Sequence, residues 1–250
     1  MPRMWPCERL STIDSTQQEL HRRLPALTGP TAIWTTRQTA GIASHGRSWQ
    51  DSPDGFAWSV AWPAGQQAPE RAAWPARLSL MTLGVLEACC PEIEACIGLK
   101  WPNDLMARPL AKLGGVLVSS HRVLSENWLI AGIGINLSWP VKAQIDRPVA
   151  DLKSLGARVE PEHLAQGLCA AISALWSGAV AGQEWATEFS RRDLLLGQRV
   201  EVVHPHSAEV MHTGVHHGVD AQGRLLLLSQ GQVMPIGIGE LSLRMHEETT

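Results

Sequence analysis

The segment at residues 100–104, Lys-Trp-Pro-Asn-Asp, places a cation, an indole ring and a carboxylate next to one another. Proline holds Trp101 in extended geometry and Asn-Asp favours a turn, so the segment predicts a rigid corner at the end of a strand. There Lys100 could meet a phosphate as a point charge, and Asp104 could bind Mg²⁺ or a polar group. Taken alone, such a pentapeptide is more often an ordinary strand-to-turn junction.

A second segment, residues 38–49, reads Gln-Thr-Ala-Gly-Ile-Ala-Ser-His-Gly-Arg-Ser-Trp and joins two predicted strands. Its small residues would let backbone N–H groups approach an anion, and Arg47 could pair with a phosphate. A loop of this composition could also close over a ligand. The alternative is a solvated hairpin loop, which the composition alone favours.

Two apolar segments carry glycines where a strand must let another chain or a ligand come close. One is Lys-Leu-Gly-Gly-Val-Leu-Val at 112–118, with Lys112 as an exposed cation at its entrance, and the other is Ala-Gly-Ile-Gly-Ile-Asn-Leu at 131–137. The Gly-x-Gly pattern lacks the helix and spacing of a dinucleotide-binding fold, which excludes that interpretation. Close packing explains the glycines of the second segment equally well.

The pattern of apolar residues predicts an α+β domain that would hold these segments. Helical spacing and capping residues predict helices over 15–27, 70–90 and 161–182, with Pro75 near the start of the second. Branched and aromatic residues predict strands over 31–36, 56–62, 97–101, 112–119 and 128–136.

From about Gly197 the chain changes to short strands, which predicts a small β-barrel-like domain. Within it, Asp220 to Gly223 would form a hairpin turn. We therefore expect a larger domain over residues 1–195 and a smaller one over 196–250.

The composition is that of an ordinary globular protein, with 44% hydrophobic residues, 18% charged residues and a net charge of −3. No basic region predicts a nucleic-acid partner, and no apolar run predicts a membrane span or a signal peptide, so we expect a cytoplasmic protein. The five cysteines form no C-x-x-C pair, which fits reduced thiols. Eleven tryptophans, with two phenylalanines and no tyrosine, must supply most of the aromatic packing.

Two histidine pairs, His204 with His206 and His216 with His217, have the residue type of metal ligands. Neither pair has a third ligand at a recognisable spacing. Strand alternation would put His216 and His217 on opposite faces, and we expect these histidines on the surface.

Taken together and in this order, the segments resemble the biotin protein ligase family. The resemblance begins at Ser15-Thr16-Gln17 and continues through the 38–49 loop, the 100–104 corner and the two glycine-containing strands. The C-terminal part is similar to the small SH3-like domain of that family. KWPND followed by Lys-Leu-x-Gly-Val-Leu is specific, and the combination covers nearly the whole chain.

The resemblance implies a class II synthetase-like fold, in which helices flank a mixed sheet, and an ATP-dependent reaction. Biotin and MgATP would form biotinyl-5'-AMP, which would pass biotin to a lysine on the biotin carboxyl carrier domain of a carboxylase. No protein nucleophile would be needed, because the enzyme would neutralise converging negative charge and exclude water. No tightly bound prosthetic group and no nucleic-acid or membrane partner are expected, whereas a homodimer is compatible with the resemblance.

Residue roles follow from the resemblance only at matching positions. The expected catalytic residues are Lys112, Lys100 and Asp104. The expected biotin-binding residues are Ser15, Thr16, Gln17, Gln38 and Lys112. The expected adenylate loop consists of Gly41, Ile42, Ala43, Ser44, Gly46, Arg47 and Trp49. Further candidates are Trp101, Asn103, Gly114, Gly115 and Asn136. The rings of Trp49 and Trp101 could stack on adenine or simply pack.

The chain departs from the family in the loop, which is typically Gly-Arg-Gly-Arg-x-Gly-Arg. Here Ile42 and Ser44 replace two arginines and Ala43 replaces a glycine. A charge-assisted hydrogen bond is worth about 1.5–3 kcal/mol, so each lost contact could weaken adenylate retention about tenfold to a hundredfold. Gln17 replaces an asparagine and adds a methylene in the pocket. The few residues before Ser15 leave no room for the DNA-binding domain of some members, so direct transcriptional control is not expected.

Two other functions remain open at this point. A lipoate or octanoate transferase of the related fold would use a reactive lysine or cysteine, but Cys89, Cys90 and Cys169 lie in predicted buried helices, and KWPND favours biotin. The altered loop suggests a degenerate homologue that binds biotin or the carrier without efficient catalysis. The presence of all three expected catalytic residues argues against it.

Overall fold

The computed structural model describes residues 5–44, 49, 54–64, 72–139, 148–176, 184–204, 207–237 and 241–246. These residues form four α-helices and two β-sheets, as expected for an α+β fold. None of the four helices has both the length and the apolar character needed to cross a membrane.

The larger sheet has seven strands: β1 (Cys7–Arg9), β2 (Thr31–Thr35), β3 (Asp54–Pro63), β4 (Ile97–Lys100), β5 (Asp104–Ala107), β6 (Ala111–Val123) and β7 (Glu126–Ser138). Their spatial order is β1-β2-β3-β7-β6-β5-β4. Strands β1 and β2 pair in parallel, and the five other neighbouring pairs of this sheet are antiparallel. The predicted mixed sheet is therefore confirmed.

Helices cover both faces of this sheet. They are α1 (Thr16–Arg23), α2 (Trp74–Cys89), α3 (Pro161–Trp176) and α4 (Glu184–Arg192). Because successive residues of a strand point to opposite faces, β2 separates two apolar clusters. Ile33 packs with Leu20 of α1, whereas Ala32 and Trp34 belong to the cluster formed with α2, α3 and α4. The sheet therefore lies between one short helix and three others.

Tryptophan supplies much of the larger core, as the composition predicts. Trp58, Trp62 and Trp101 are fully buried. The rings of Trp62 and Trp74 meet edge to face with their centroids 5.4 Å apart, an arrangement that aromatic pairs favour.

Strands β6 and β7 form a long hairpin in which glycines face the neighbouring backbone. Gly115 lies opposite Gly134, and Gly114 lies opposite Ile135. A Cβ on Gly114 would lie only 2.5 Å from the carbonyl oxygen of Gly134, so the close approach requires glycine. This hairpin forms the floor of the cavity described below.

The smaller sheet contains β8 (Arg199–Val203), β9 (Val210–Val219), β10 (Leu225–Ser229), β11 (Gln232–Ile236) and β12 (Ser242–Met245). Its order is β11-β10-β9-β8-β12, with every neighbouring pair antiparallel. The turn predicted at Asp220–Gly223 is confirmed by a hydrogen bond between Asp220 and Arg224 and by φ +79° at Gly223. The sheet fits the expected SH3-like domain, and the division into 1–195 and 196–250 stays a prediction.

Four of these strands and α-helices were not predicted. Strand β1 is too short to show a pattern, and β5 follows so closely on the 100–104 corner that Asn-Asp indicated a turn alone. Strand β11 contains Pro235, which weakens a strand prediction but is tolerated because β11 lies at the edge of its sheet. Helix α4 is short, and the helix predicted over 161–182 is described only as far as Trp176.

Candidate functional site

A cavity lies between the start of α1, the 38–49 loop and the inner strands β3, β6 and β7. Its described lining is Ser15, Thr16, Gln17, Gln38, Ile42, Ala43, Ser44, Trp49, Ala57, Ser59, Asn103, Lys112, Gly115, Val116, Leu117, Gly132, Ile133 and Gly134. Segments that are far apart in the sequence thus meet around one space.

One end of the cavity is polar and carries no formal charge. Thr16 Oγ1 lies 2.7 Å from Ser59 Oγ, and the backbone N–H of Thr16 donates to Gln38 Oε1 over 2.8 Å. Ser15 is buried beside them and caps α1, its hydroxyl accepting the N–H of Gln18 at 3.4 Å. The helix start therefore fixes the hydroxyl and amide groups that face the cavity, because the cap sets the backbone that carries them.

Gln17 lies along the cavity floor. Its Nε2 donates to the carbonyl oxygen of Leu117 over 2.8 Å. A Cβ on Gly132 would lie 2.9 Å from Gln17 Cγ, so the glycine makes room for the longer side chain that stands where the family usually has asparagine. The extra methylene is accommodated by packing across β7.

The middle of the cavity is apolar. Ile42, Val116 and Ile133 contribute aliphatic surface, and Trp49 covers the floor. Ring carbons of Trp49 lie 2.7 Å from the position that a Cβ would take on Gly134, so the indole rests directly on the glycine backbone of β7. Trp49 therefore both packs and lines the cavity.

The other end of the cavity carries the cation Lys112. Lys112 Nζ forms a close ion pair with Asp104 Oδ1, and Lys100 Nζ lies 3.3 Å from Asp104 Oδ2. Burial acts to raise the pKa of the Asp104 carboxyl, but the two ammonium groups together outweigh burial and lower that pKa to about 2. Asp104 is thus ionised at neutral pH and fixes the direction of Lys112, whose Nζ also lies 5.9 Å from the Trp49 ring centroid.

Asn136 fixes the backbone of Lys112, and Gly115 leaves space for its ammonium group. Asn136 Nδ2 donates to the carbonyl oxygens of Lys112 and Ala150 over 3.3 and 3.0 Å. On the cavity side, a Cβ on Gly115 would approach Lys112 Nζ to 3.3 Å, so glycine leaves space for the ammonium group. Asn103 links the 100–104 corner to β6, since its side-chain amide donates to the carbonyl oxygen of Val116.

Eleven of the expected site residues line the cavity. Six others are near the site but do not line it: Gly41, Lys100, Trp101, Asp104, Gly114 and Asn136. Trp101 is fully buried and donates from its indole to the carbonyl oxygen of Gly223, so its ring packs. Gly46 and Arg47, together with His45, lie outside the described residues.

Seven lining residues were not among the expected site residues: Ala57, Ser59, Val116, Leu117, Gly132, Ile133 and Gly134. One signal could have identified Ser59, because it is the polar residue in the otherwise apolar strand Phe-Ala-Trp-Ser-Val-Ala-Trp. In the sheet it pairs with Gly132, which brings two of the missed residues together.

The expectation that His216 lies on the surface is wrong. Its side chain is fully buried and its Nε2 lies 3.1 Å from Asp193 Oδ2. The alternation argument itself was correct, because His217 is exposed on the opposite face of β9. The error arose because the face of β9 that carries His216 packs against the larger part of the molecule, through α4 and the residues that follow it.

Comparison with known proteins identifies the family of this chain. The model of the biotin/lipoate A/B protein ligase family matches residues 10–136. The biotin–acetyl-CoA-carboxylase ligase of Mycobacterium tuberculosis is 30% identical over 213 residues, which are 82% of this chain and 75% of that protein. The enzyme of the same name from Paracoccus denitrificans is 28% identical over 239 residues, with 90% and 96% coverage.

A solved structure supports the same relationship. The biotin protein ligase of Aquifex aeolicus in complex with biotin and ATP superposes with a TM-score of 0.80 and 27% identity, covering 96% of this chain and 99% of that one. The resemblance seen in the sequence motifs is thereby confirmed. The chain belongs to the biotin/lipoate A/B protein ligase family, and its relatives named here are biotin protein ligases.

Proposed function

We propose that the chain is a biotin protein ligase that forms biotinyl-5'-AMP from biotin and MgATP and then transfers biotin to a lysine of a carboxylase biotin carrier domain. The observation that carries this proposal is a cavity with an uncharged polar end, apolar walls and a lysine at the far end. Biotin has the matching order of groups: a neutral ureido ring, an apolar thioether ring and chain, and a carboxylate.

The polar end suits a ureido group, which offers one carbonyl acceptor and two N–H donors. The hydroxyls of Ser15, Thr16 and Ser59 can each donate and accept, and Gln38 offers both an amide oxygen and an amide nitrogen. A charged ligand group would be disfavoured there because Ser15, Thr16 and Ser59 are buried and carry no compensating charge. Recognition at this end would therefore select a neutral, hydrogen-bonding ring.

Lys112 would meet the biotin carboxylate and then the acyl phosphate. In the first step a carboxylate oxygen forms a bond to the α-phosphorus of ATP, and the bond from that phosphorus to the pyrophosphate oxygen breaks. Negative charges converge during this attack, and the Lys112 ammonium, held in direction by Asp104, would neutralise part of them. Lys100, on the other side of Asp104, would add positive charge near the phosphates.

In the second step the neutral amine of the carrier lysine attacks the acyl carbon of the adenylate. A C–N bond forms, the bond to the AMP oxygen breaks, and the amine loses a proton. The described loop residues that line the cavity, Ile42 to Ser44 with Trp49, would cover the adenylate and keep water from it. ATP, Mg²⁺ and biotin are substrates in this scheme, and a carboxylase carrier in the cytoplasm is the acceptor.

An octanoate or lipoate transferase fits the cavity less well. Octanoate and lipoate carry no ureido group, so they would make none of the hydrogen bonds that the polar end offers to a ligand. The cavity therefore favours biotin over these acids.

The test is transfer of labelled biotin from biotin and MgATP to a purified biotin carrier domain, with octanoate and lipoate as parallel substrates. We expect adenylate formation and transfer with biotin alone. Biotin binding without adenylate formation would indicate a degenerate binding protein instead of a ligase. Transfer of octanoate or lipoate would indicate the related transferase.

A further inference from the structure

Asp193 and His216 form a buried pair outside the cavity, where the residues after α4 meet β9 of the smaller sheet. Both side chains are fully excluded from solvent, and His216 Nε2 lies 3.1 Å from Asp193 Oδ2. The backbone N–H of Gly218 donates to His216 Nδ1 over 3.0 Å, so Nδ1 has no proton and Nε2 carries it. His216 therefore donates to Asp193.

The same carboxylate holds the 100–104 corner. Asp193 Oδ2 also accepts the backbone N–H of Trp101 over 3.0 Å, and Oδ1 accepts the N–H of Leu195 over 2.9 Å. Three donors from three parts of the chain thus converge on one buried carboxylate. Such a charge is tolerated in a protein interior only when donors of this kind surround it.

The corner is tied to the smaller sheet a second time. Trp101 Nε1 donates to the carbonyl oxygen of Gly223 over 2.9 Å, in the turn after β9. A Cβ on Gly223 would lie 2.8 Å from the Cα of Ala73, so this turn is itself packed tightly against the start of α2. Trp101 is therefore fixed through both its backbone and its side chain.

The corner held in this way carries two residues of the candidate site. Asn103 lines the cavity and Asp104 forms the ion pair with Lys112, and they follow Trp101 by two and three residues. We propose that Asp193 and His216 are positioning residues: they fix the 100–104 corner from the smaller sheet, so that Asp104 presents Lys112 to the reacting groups. The kinetic part of this proposal rests on the proposed ligase function, whereas the holding of the corner does not.

Two amide substitutions at His216, made in the full chain, distinguish the effect of the His216–Asp193 hydrogen bond from the effect of packing. His216→Gln places an amide N–H near the position of Nε2 and keeps a donor to Asp193. His216→Asn places its amide near Nδ1 and leaves Asp193 without this donor. Asp193→Asn removes the charge itself, and His217→Ala, at the exposed neighbour on β9, is the control.

The first measurement is hydrogen exchange of the Trp101 amide, compared with amides of the β3–β7 pairing that a general loss of stability would also affect. We expect exchange at Trp101 to be about tenfold faster in His216→Asn and Asp193→Asn, equivalent to about 1.4 kcal/mol. His216→Gln and His217→Ala should stay close to wild type. Equal exchange in both His216 variants, or faster exchange throughout the sheet, would overturn the proposal.

The second measurement is the kinetics of adenylate formation. We expect kcat to fall about tenfold in His216→Asn with a smaller rise in the KM for biotin, because Lys112 depends on the corner whereas the Thr16 end of the cavity is not attached to it. Unchanged kcat together with faster exchange would refute the link to catalysis. If the wild type forms no adenylate, the proposed function fails, and exchange at Trp101 still decides whether the pair holds the corner. Should Asp193→Asn not fold, the two His216 variants carry the comparison.

Discussion

Replacing Asp104 by asparagine would leave Lys100 and Lys112 without the anion that they share. Burial alone would raise the pKa of the Asp104 carboxyl, but the ammonium groups of Lys112 and Lys100 lower it from 3.8 to about 2. This lowering of the pKa corresponds to about 2.5 kcal/mol of stabilisation of the ionised carboxylate in the folded protein relative to the unfolded one. Because the folded pKa lies below the unfolded one, this stabilisation is fully present above about pH 4 and is lost as the pH falls through about 2.

The assay is urea unfolding of wild type and Asp104→Asn between pH 7 and pH 3, with Glu126→Gln, an exposed carboxylate at the start of β7, as the matched control. We expect Asp104→Asn to be less stable by about 2 kcal/mol at pH 7, and the difference to fall to about half by pH 3. Equal stability at pH 7, or a difference that does not change with pH, would refute the assignment of Asp104 as the ionised partner of Lys112. Slower adenylate formation by the variant at pH 7 should accompany the loss.

Three further changes probe the cavity. Ser59→Ala removes a hydroxyl from the polar end and should raise the KM for biotin about fivefold, as expected for one neutral hydrogen bond, and an unchanged KM would contradict that role. Gly134→Ala would place a methyl group against the Trp49 ring and should slow adenylate formation. The control Gly29→Ala, with no atom within 4 Å of the new Cβ, should not slow it. Equal rates in the two variants would contradict the packing of Trp49 on Gly134. Ser44→Arg restores a family cation and should slow adenylate dissociation about tenfold, so equal dissociation rates in the variant and wild type would show that this charge is not needed.

The elements of the larger sheet that form the cavity were mostly predictable, because they have long apolar patterns. The β6–β7 hairpin, with Lys112 at its entrance, is the best case. Thr16 and Gln38 could be found as well, but only because their segments resemble a family. The sequence alone does not show that Thr16 and Gln38, which are 22 positions apart, are joined by a hydrogen bond.

The residues that were missed depend on information that a single sequence does not contain. Ser59 and Gly132 face each other because of the register between β3 and β7, and register is fixed by the packed sheet rather than by either strand. The burial of His216 depends on what covers one face of β9. Alternation assigns a residue to a face, but it does not tell whether that face meets solvent or another layer.

The hydrogen bonds within the polar end have a consequence for the thermodynamics of ligand recognition. Since Thr16 already bonds to both Ser59 and Gln38 within the protein, an incoming ring exchanges existing bonds for new ones and gains little net enthalpy there. Affinity would then come mainly from the aliphatic and indole surface in the middle of the cavity, with the negative heat-capacity change that apolar burial produces. Selectivity, in contrast, would come from the polar end, where a ring with donors and acceptors can replace the hydrogen bonds that it displaces and an apolar group cannot. The two properties could therefore be altered separately by mutation.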